Sequence, residues 1–185
     1  MTGCCVKSVE HQIFGLGYGD EPAPTDRRDV RTGRKDELKE DSLMANRISA
    51  KAELIARAAH AGQTDKSGKP YIDHPARVAA RVRGDDLLEA IAWLHDVVED
   101  TDVQLADLRT QFPSEVVDAV DAISHRPDEL RADYYARVAS NPLARDVKLA
   151  DIDDNTDSAR TALLDDATRS RLAAKYAAAR EALAQ

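Results

Sequence analysis

The sequence predicts an all-α domain preceded by a disordered tail, and three observations carry that expectation. Hydrophobic residues make up 43% of the 185 residues while aromatics reach only 4%, so the core must rest on Ala, Leu, Ile and Val packed between helices. Charged residues reach 32%, and Ala-rich stretches carrying Leu, Glu and Arg favour helix over strand. From Ala45 onward the apolar spacing is helical, with no competing strand alternation and no internal repeat.

The tail comes first. Residues 1–43 are expected to be a disordered extension, and 44–185 a single helical domain. Gly15, Gly17 and Gly19 lie close together, followed by Pro22, Pro24 and a dense charge mixture, with no sustained period. The glycine spacing is no phosphate loop, because no strand precedes it and no Gly-Lys-Ser/Thr helix follows. Cys4 and Cys5 are adjacent and lack later partners, so they frame neither a disulfide scaffold nor a zinc site. Met44 opens the organised stretch, and residues 1–43 could be an upstream extension outside the functional protein.

The elements follow in order. Leu54, Ile55, Ala58 and Ala59 form the stripe of a first helix that ends near Gly62. Ser67-Gly68-Lys69-Pro70 is a turn cluster. A second helix starts around His74-Pro75, with the proline tolerated in a first turn, buries Val78, Ala79 and Val82, and stops at Gly84. Asp85 or Asp86 caps a third, whose apolar face holds Leu88, Ile91, Ala92 and Leu94. Further helices are expected at 104–111, 114–124, 129–139, 142–153 and 166–183.

Charge narrows the function. A net charge of −8 and the lack of a basic stripe argue against a nucleic-acid polymer, since such binding rests on neutralising phosphates. A small anionic ligand stays open, because a metal and a few local cations can outweigh the global charge. No apolar run approaches a membrane span and no signal peptide is evident, so a cytoplasmic protein is expected.

The chemistry concentrates at His74, the neighbours His95-Asp96, the pair Glu99-Asp100, and Asp151 far downstream. On a continuous helix His95 and Glu99 share a face, as do Asp96 and Asp100, while His95 and Asp96 differ by about 100°. Four ionisable groups among Leu94, Val97 and Val98 are costly without a partner, and a divalent cation would supply one. Imidazole with carboxylate suits Mn²⁺, Fe²⁺ or Zn²⁺. Spacing alone leaves two readings open: a metal site, or an exposed helical turn of solvated charges.

Four blocks carry a resemblance. They are Ala59-His60-Ala61-Gly62-Gln63, Ser67-Gly68-Lys69-Pro70-Tyr71-Ile72-Asp73-His74-Pro75, Trp93-Leu94-His95-Asp96-Val97-Val98-Glu99-Asp100-Thr101, and Val147-Lys148-Leu149-Ala150-Asp151. In this order they resemble the HD-domain phosphohydrolases, and more closely the hydrolase domain of the RelA/SpoT-type alarmone enzymes and the small alarmone hydrolases.

The resemblance implies a compact HD-type helical bundle. It implies a divalent metal, expected to be Mn²⁺, on His74, His95, Asp96 and Asp151, with Glu99 and Asp100 as catalytic residues. Two His and two Asp leave open positions on a six-coordinate ion for water and a phosphate oxygen. The metal would lower the pKa of that water and polarise the phosphoryl group, and Glu99 or Asp100 would position or deprotonate the attacking water. Lys66, Lys148 and Asn155 are expected to bind substrate, a small nucleotide whose leading candidate is (p)ppGpp, cleaved at its 3′-pyrophosphate.

The chain departs from the family pattern in two places. Asp65 stands where the alarmone hydrolases carry an Arg, and Ile152-Asp153-Asp154-Asn155 stands where they often read Arg-Leu-His-Asn. Another nucleotide or phosphorylated metabolite, or a catalytically silent metal- or nucleotide-binding module, are the alternatives. The length leaves no room in this sequence for a synthetase domain. His60 is expected to pack near the metal rather than ligate it, His125 to lie at a helix end on the surface, and Tyr134-Tyr135 to pack.

Overall fold

A computed structural model describes residues 47–65, 67–162 and 164–184. The expected tail therefore lies outside the described residues, as do Cys4, Cys5 and Lys66.

The described residues are helical, and the only extended pairing among them is an isolated bridge between Thr64 and Pro70 that closes the Ser-Gly turn. In chain order the helices are α1 (Ile48–Ala59), α2 (Asp73–Arg81), α3 (Asp86–Leu94), α4 (Val97–Asp100), α5 (Leu105–Arg109), α6 (Ser114–Ile123), α7 (Arg131–Ser140), α8 (Pro142–Asn155), α9 (Ser158–Thr161) and α10 (Asp166–Leu183). Helix α3 lies at the centre, packed against α1, α2, α6 and α8, and its run from Ala90 to Leu94 is buried throughout. A helix apolar on all sides belongs inside a bundle. None of the described helices is long and apolar enough to cross a membrane.

Local chemistry sets the boundaries. Asp85 caps α3 by accepting from the amides of Leu87 (2.9 Å) and Leu88 (3.1 Å), as its position before the apolar run predicts. Asn141 caps α8 through Ala144 N, with Pro142 at the first helical position, where its missing N–H costs nothing. Asp165 caps α10 through Thr168 N, and that helix covers 166–183 as expected. Gly68 takes a φ of +80° in the turn before Pro70, a conformation a Cβ would disfavour.

Two expectations need correction. The stripe assigned to α1 is rotated: Leu54 is 70% exposed, whereas Ser49, Ala52 and Ala56 are the residues that meet the core. Small side chains let α1 approach α3 closely, so the largest residue on α1 is not the most buried. The second correction concerns the metal doublet. His95 and Asp96 do not continue α3; they form a turn, and α4 starts anew at Val97. Asp96 takes φ −103° and ψ −5°, and its carboxylate faces His95 and Tyr71 rather than capping α4. Tertiary partners have outweighed helical continuity there, as short polar side chains permit.

Candidate metal centre and catalytic cleft

The turn after α3 meets the first turn of α2 and the middle of α8. From these come His95 and Asp96, His74, and Asp151. Donor atoms of His74, His95 and Asp151, all buried, lie within 4.8 Å of one another. His74 Nε2 is 3.1 Å from Asp151 Oδ1 and 3.7 Å from Asp96 Oδ2. Asp96 Oδ2 also lies 2.9 Å from His95 Nε2. The four expected ligands are thus brought together, with Asp96 beside the two imidazoles rather than within the tightest trio.

Both imidazoles are oriented from behind. His95 Nδ1 lies 2.8 Å from the Ala92 carbonyl, which can only accept, so Nδ1 carries the proton. Its Nε2 is buried and has no hydrogen-bond partner; the short approach to Asp96 lacks the alignment of a hydrogen bond. His74 Nδ1 meets Asp154 Oδ2 at 2.8 Å, leaving its Nε2 toward Asp151 and Asp96. Asp154 is fully buried and also accepts from Arg77 (2.8 and 3.2 Å) and Arg160.

The electrostatics are those of a site built around positive charge. Burial works against ionised carboxylates at Asp96 and Asp151, yet His95 holds Asp96, and Lys148 and His74 hold Asp151, well below the usual carboxylate range. Burial likewise opposes charge on His74, but Asp151 and Asp154 outweigh it and push its pKa up to about 9. The donor set fits a divalent ion: an orphaned buried imidazole nitrogen, a second one aimed at the same point, and two ionised carboxylates.

Beside the cluster opens a cleft of about 520 Å³. Glu99 and Asp100, the expected catalytic pair, line it and are exposed. Glu99 Oε2 accepts from the backbone N–H of His125 at 2.9 Å. Tyr71 Oη lies 2.6 Å from Asp96 Oδ2 and 3.1 Å from Asp100 Oδ2, joining the two carboxylates. Lys148, half-buried beside Asp151 at 2.9 Å, and Asn155, whose Nδ2 donates to Asp151 Oδ1 at 2.6 Å, also line the cleft. Arg131, Arg160 and Lys175 add positive charge around it.

His60 packs as expected: it is 2% exposed, meets Gln63 Oε1 at 2.8 Å and stands outside the donor group. His125 lines the cleft instead of lying on a plain surface, and of the tyrosine pair Tyr134 is buried and Tyr135 half-buried, with both facing the cleft. Asp65 lines the cleft too, but Oδ1 is engaged by Ser67 N, Ser67 Oγ and Lys69 N, which fold the turn. Sequence reasoning missed the roles of Tyr71 and Asp154. Both signals were available: Tyr71 lies three residues before His74, and Asp154 three after Asp151 on the same helical face.

Residues 52–133 match the HD-domain family model, a stretch that contains His74, His95, Asp96, Glu99 and Asp100. Over that stretch the chain is similar to an HD domain. That fold implies a divalent metal, and the donors just described are the ones available to hold it. Among curated relatives is the guanosine-3′,5′-bis(diphosphate) 3′-pyrophosphohydrolase of Vibrio cholerae, 51% identical over 75 residues, which are 38% of this chain and 10% of that protein. The bifunctional (p)ppGpp synthase/hydrolase SpoT of Escherichia coli is 41% identical over 90 residues, or 47% of this chain and 12% of that protein. The matched segment thus spans about a tenth of the length of these relatives. Among solved structures, a metazoan ortholog of SpoT described as hydrolysing ppGpp superposes with a TM-score of 0.63 at 22% identity, covering 74% of this chain and 85% of that one. The helical fold is therefore shared with that protein.

Proposed function

We propose that this chain is a metal-dependent phosphohydrolase that removes the 3′-pyrophosphate of (p)ppGpp, with Mn²⁺ as its metal. The observation that carries the reading is the junction of the two clusters. Through Tyr71 the His/Asp donor group is continuous with Glu99 and Asp100 at the cleft. The relatives named as (p)ppGpp 3′-pyrophosphohydrolases supply the substrate class.

His74, His95, Asp96 and Asp151 would hold the ion, which when bound supplies an acidified water and an electrophile for the phosphoryl oxygen. The other steps fall to the chain itself. Glu99, fixed by the His125 amide, and Asp100, fixed by Tyr71, face the cleft as acceptors for the proton of the attacking water. Lys148 places a positive charge beside the donor group, and Arg131, Arg160 and Lys175 line the same cleft, where they offset polyphosphate charge that the net −8 of the chain would otherwise repel. Asn155 is held by Asp151 with its amide at the cleft, placed to meet a ribose or phosphate oxygen. Lys66 belongs to this proposal by its place in the sequence.

The test is hydrolysis by Mn²⁺-reconstituted protein over a panel of the alarmone, GTP, a dinucleotide cofactor phosphate and a generic phosphodiester. Pyrophosphate release from the alarmone is expected, with Glu99→Gln retaining metal and losing turnover. Activity on another member alone would overturn the substrate. Silence across the panel with metal bound would overturn the enzyme reading in favour of a binding module.

A further inference from the structure

Among the described residues, Asp154 is the one buried carboxylate near the donor group that does not line the cleft. It stands where the similar alarmone hydrolases often carry His, and the chain surrounds it with a set of partners of its own. It lies on α8 three residues beyond Asp151, so both side chains leave the helix on the face packed against α2. Asp151 points into the donor group; Asp154 points past it to the rear of His74.

We propose that Asp154 is a positioning residue that holds His74 with Nδ1 protonated and Nε2 turned to the metal. The inference rests on the metal-site reading above. Arg77 meets both carboxylate oxygens, Arg160 meets Oδ2, and Arg81 stands 3.8 Å from Oδ1. A carboxylate so surrounded is ionised and can only accept. The ring nitrogen 2.8 Å away must therefore carry the hydrogen. That leaves Nε2, directed at Asp151 and Asp96, as the atom free to ligate. His95 is fixed the same way, but by the Ala92 carbonyl of its own helix. His74, in the first turn of α2, has no carbonyl behind it in that role, and a carboxylate from another helix takes the place. An acidic partner also raises the ligand strength of the imidazole, which a backbone carbonyl does less.

A purely structural role competes with this one, because the same arginines tie α2 to α8 and α9. Arg81 separates the two: it belongs to the tie, pairing also with Asp157 at 3.2 Å, but it does not touch His74. The measurement is the Zn²⁺ dissociation constant of the full chain, read by competition with a chromophoric chelator, for wild type, Asp154→Asn and Arg81→Gln. The amide of Asn keeps the shape but is a weaker acceptor and can turn its NH₂ toward the ring. Asp154→Asn should bind Zn²⁺ about 10–100-fold more weakly, the range seen when such outer partners are removed, while Arg81→Gln keeps the wild-type value. Equal weakening in both variants would assign Asp154 to the helix tie and overturn the proposal, as would an unchanged constant in Asp154→Asn. Nitrogen-15 NMR of Zn²⁺-loaded wild-type protein tests the same point without a substitution. Protonated Nδ1 and a metal-shifted Nε2 on His74 are expected, and the reverse tautomer would refute the role. Failure of wild-type protein to bind Zn²⁺ at all would instead overturn the metal site itself, and this inference with it.

Discussion

Replacing Tyr71 by Phe removes one oxygen and leaves the ring packing against His60 and His74 intact. That oxygen is 2.6 Å from Asp96 and 3.1 Å from Asp100. Burial first, then the two carboxylates, push its pKa upward, so it stays a phenol and a donor at any working pH. A hydrogen bond to a charged acceptor contributes about 1.5–3 kcal/mol. Asp96 keeps His95 beside it and Asp100 is solvent-exposed, so the loss belongs near the lower end, about 2 kcal/mol. For a chain of this size that lowers Tm by about 4–8 °C. Activity should fall further than stability, because two carboxylates lose the donor that keeps them at a fixed separation. A loss of about 10–100-fold in kcat, with KM little changed, is expected if Asp100 is misplaced by an ångström. Thermal unfolding of the metal-free protein and steady-state alarmone hydrolysis at saturating Mn²⁺ read the two effects. Wild-type Tm together with wild-type kcat would refute the claim that Tyr71 couples Asp96 to Asp100.

Two further outcomes follow from burial and charge. In the chelator-treated protein the folded pKa of His74 is raised to about 9 from an ordinary 6.5, so its contribution is complete below pH 6.5 and lost as pH rises through 9. Urea unfolding of metal-free protein should show stability falling by up to about 3 kcal/mol across that window, with the slope gone in His74→Gln, and a flat profile would count against a charged His74. On α1, Leu54→Ala should stay within about 0.5 kcal/mol of wild type because Leu54 is 70% exposed, whereas Ala56→Leu should cost about 1–3 kcal/mol by overfilling the contact with α3. Denaturant midpoints of the two variants in the opposite order would restore the face first expected.

How legible the molecule was in its sequence depended on how local the deciding interaction is. The cap of α3 read well: Asp85, one of two candidates, bonds the amides two and three residues on, so identity and spacing suffice. The long helix at 166–183 was legible for the same reason, its composition favouring helix without help from elsewhere. The face of α1 was not, because which side packs depends on how closely α3 approaches. Alanines there are selected by a neighbour nearly forty residues away. The apolar period alone gives Leu54 greater weight than Ala52 or Ala56, although only the alanines fit the contact.

The site divides along the same line. Motif blocks picked out His74, His95, Asp96, Glu99, Asp100 and Asp151, which the fold gathers beside one cleft, since each block holds its residues within a few positions. What the blocks could not show is that the helix breaks between Leu94 and Val97. A continuous helix would have set Asp96 above Asp100 and His95 above Glu99, each pair one turn apart on one face. The break instead turns His95 inward, with Nε2 buried, and leaves Asp96 at the edge, where Tyr71 from the loop before α2 reaches it. The cause of that break lies outside the block. His95 is held by Ala92, Asp96 by Tyr71, and His74 by Asp154 eighty residues away. Each of these side chains is fixed by a group behind it, from its own helix for His95, from a loop for Asp96 and from another helix for His74. Asp154 could be named in the sequence only as an extra acid after Asp151. Its place becomes readable once α8 is seen to cross α2, because the side chain three residues past Asp151 then lies behind His74.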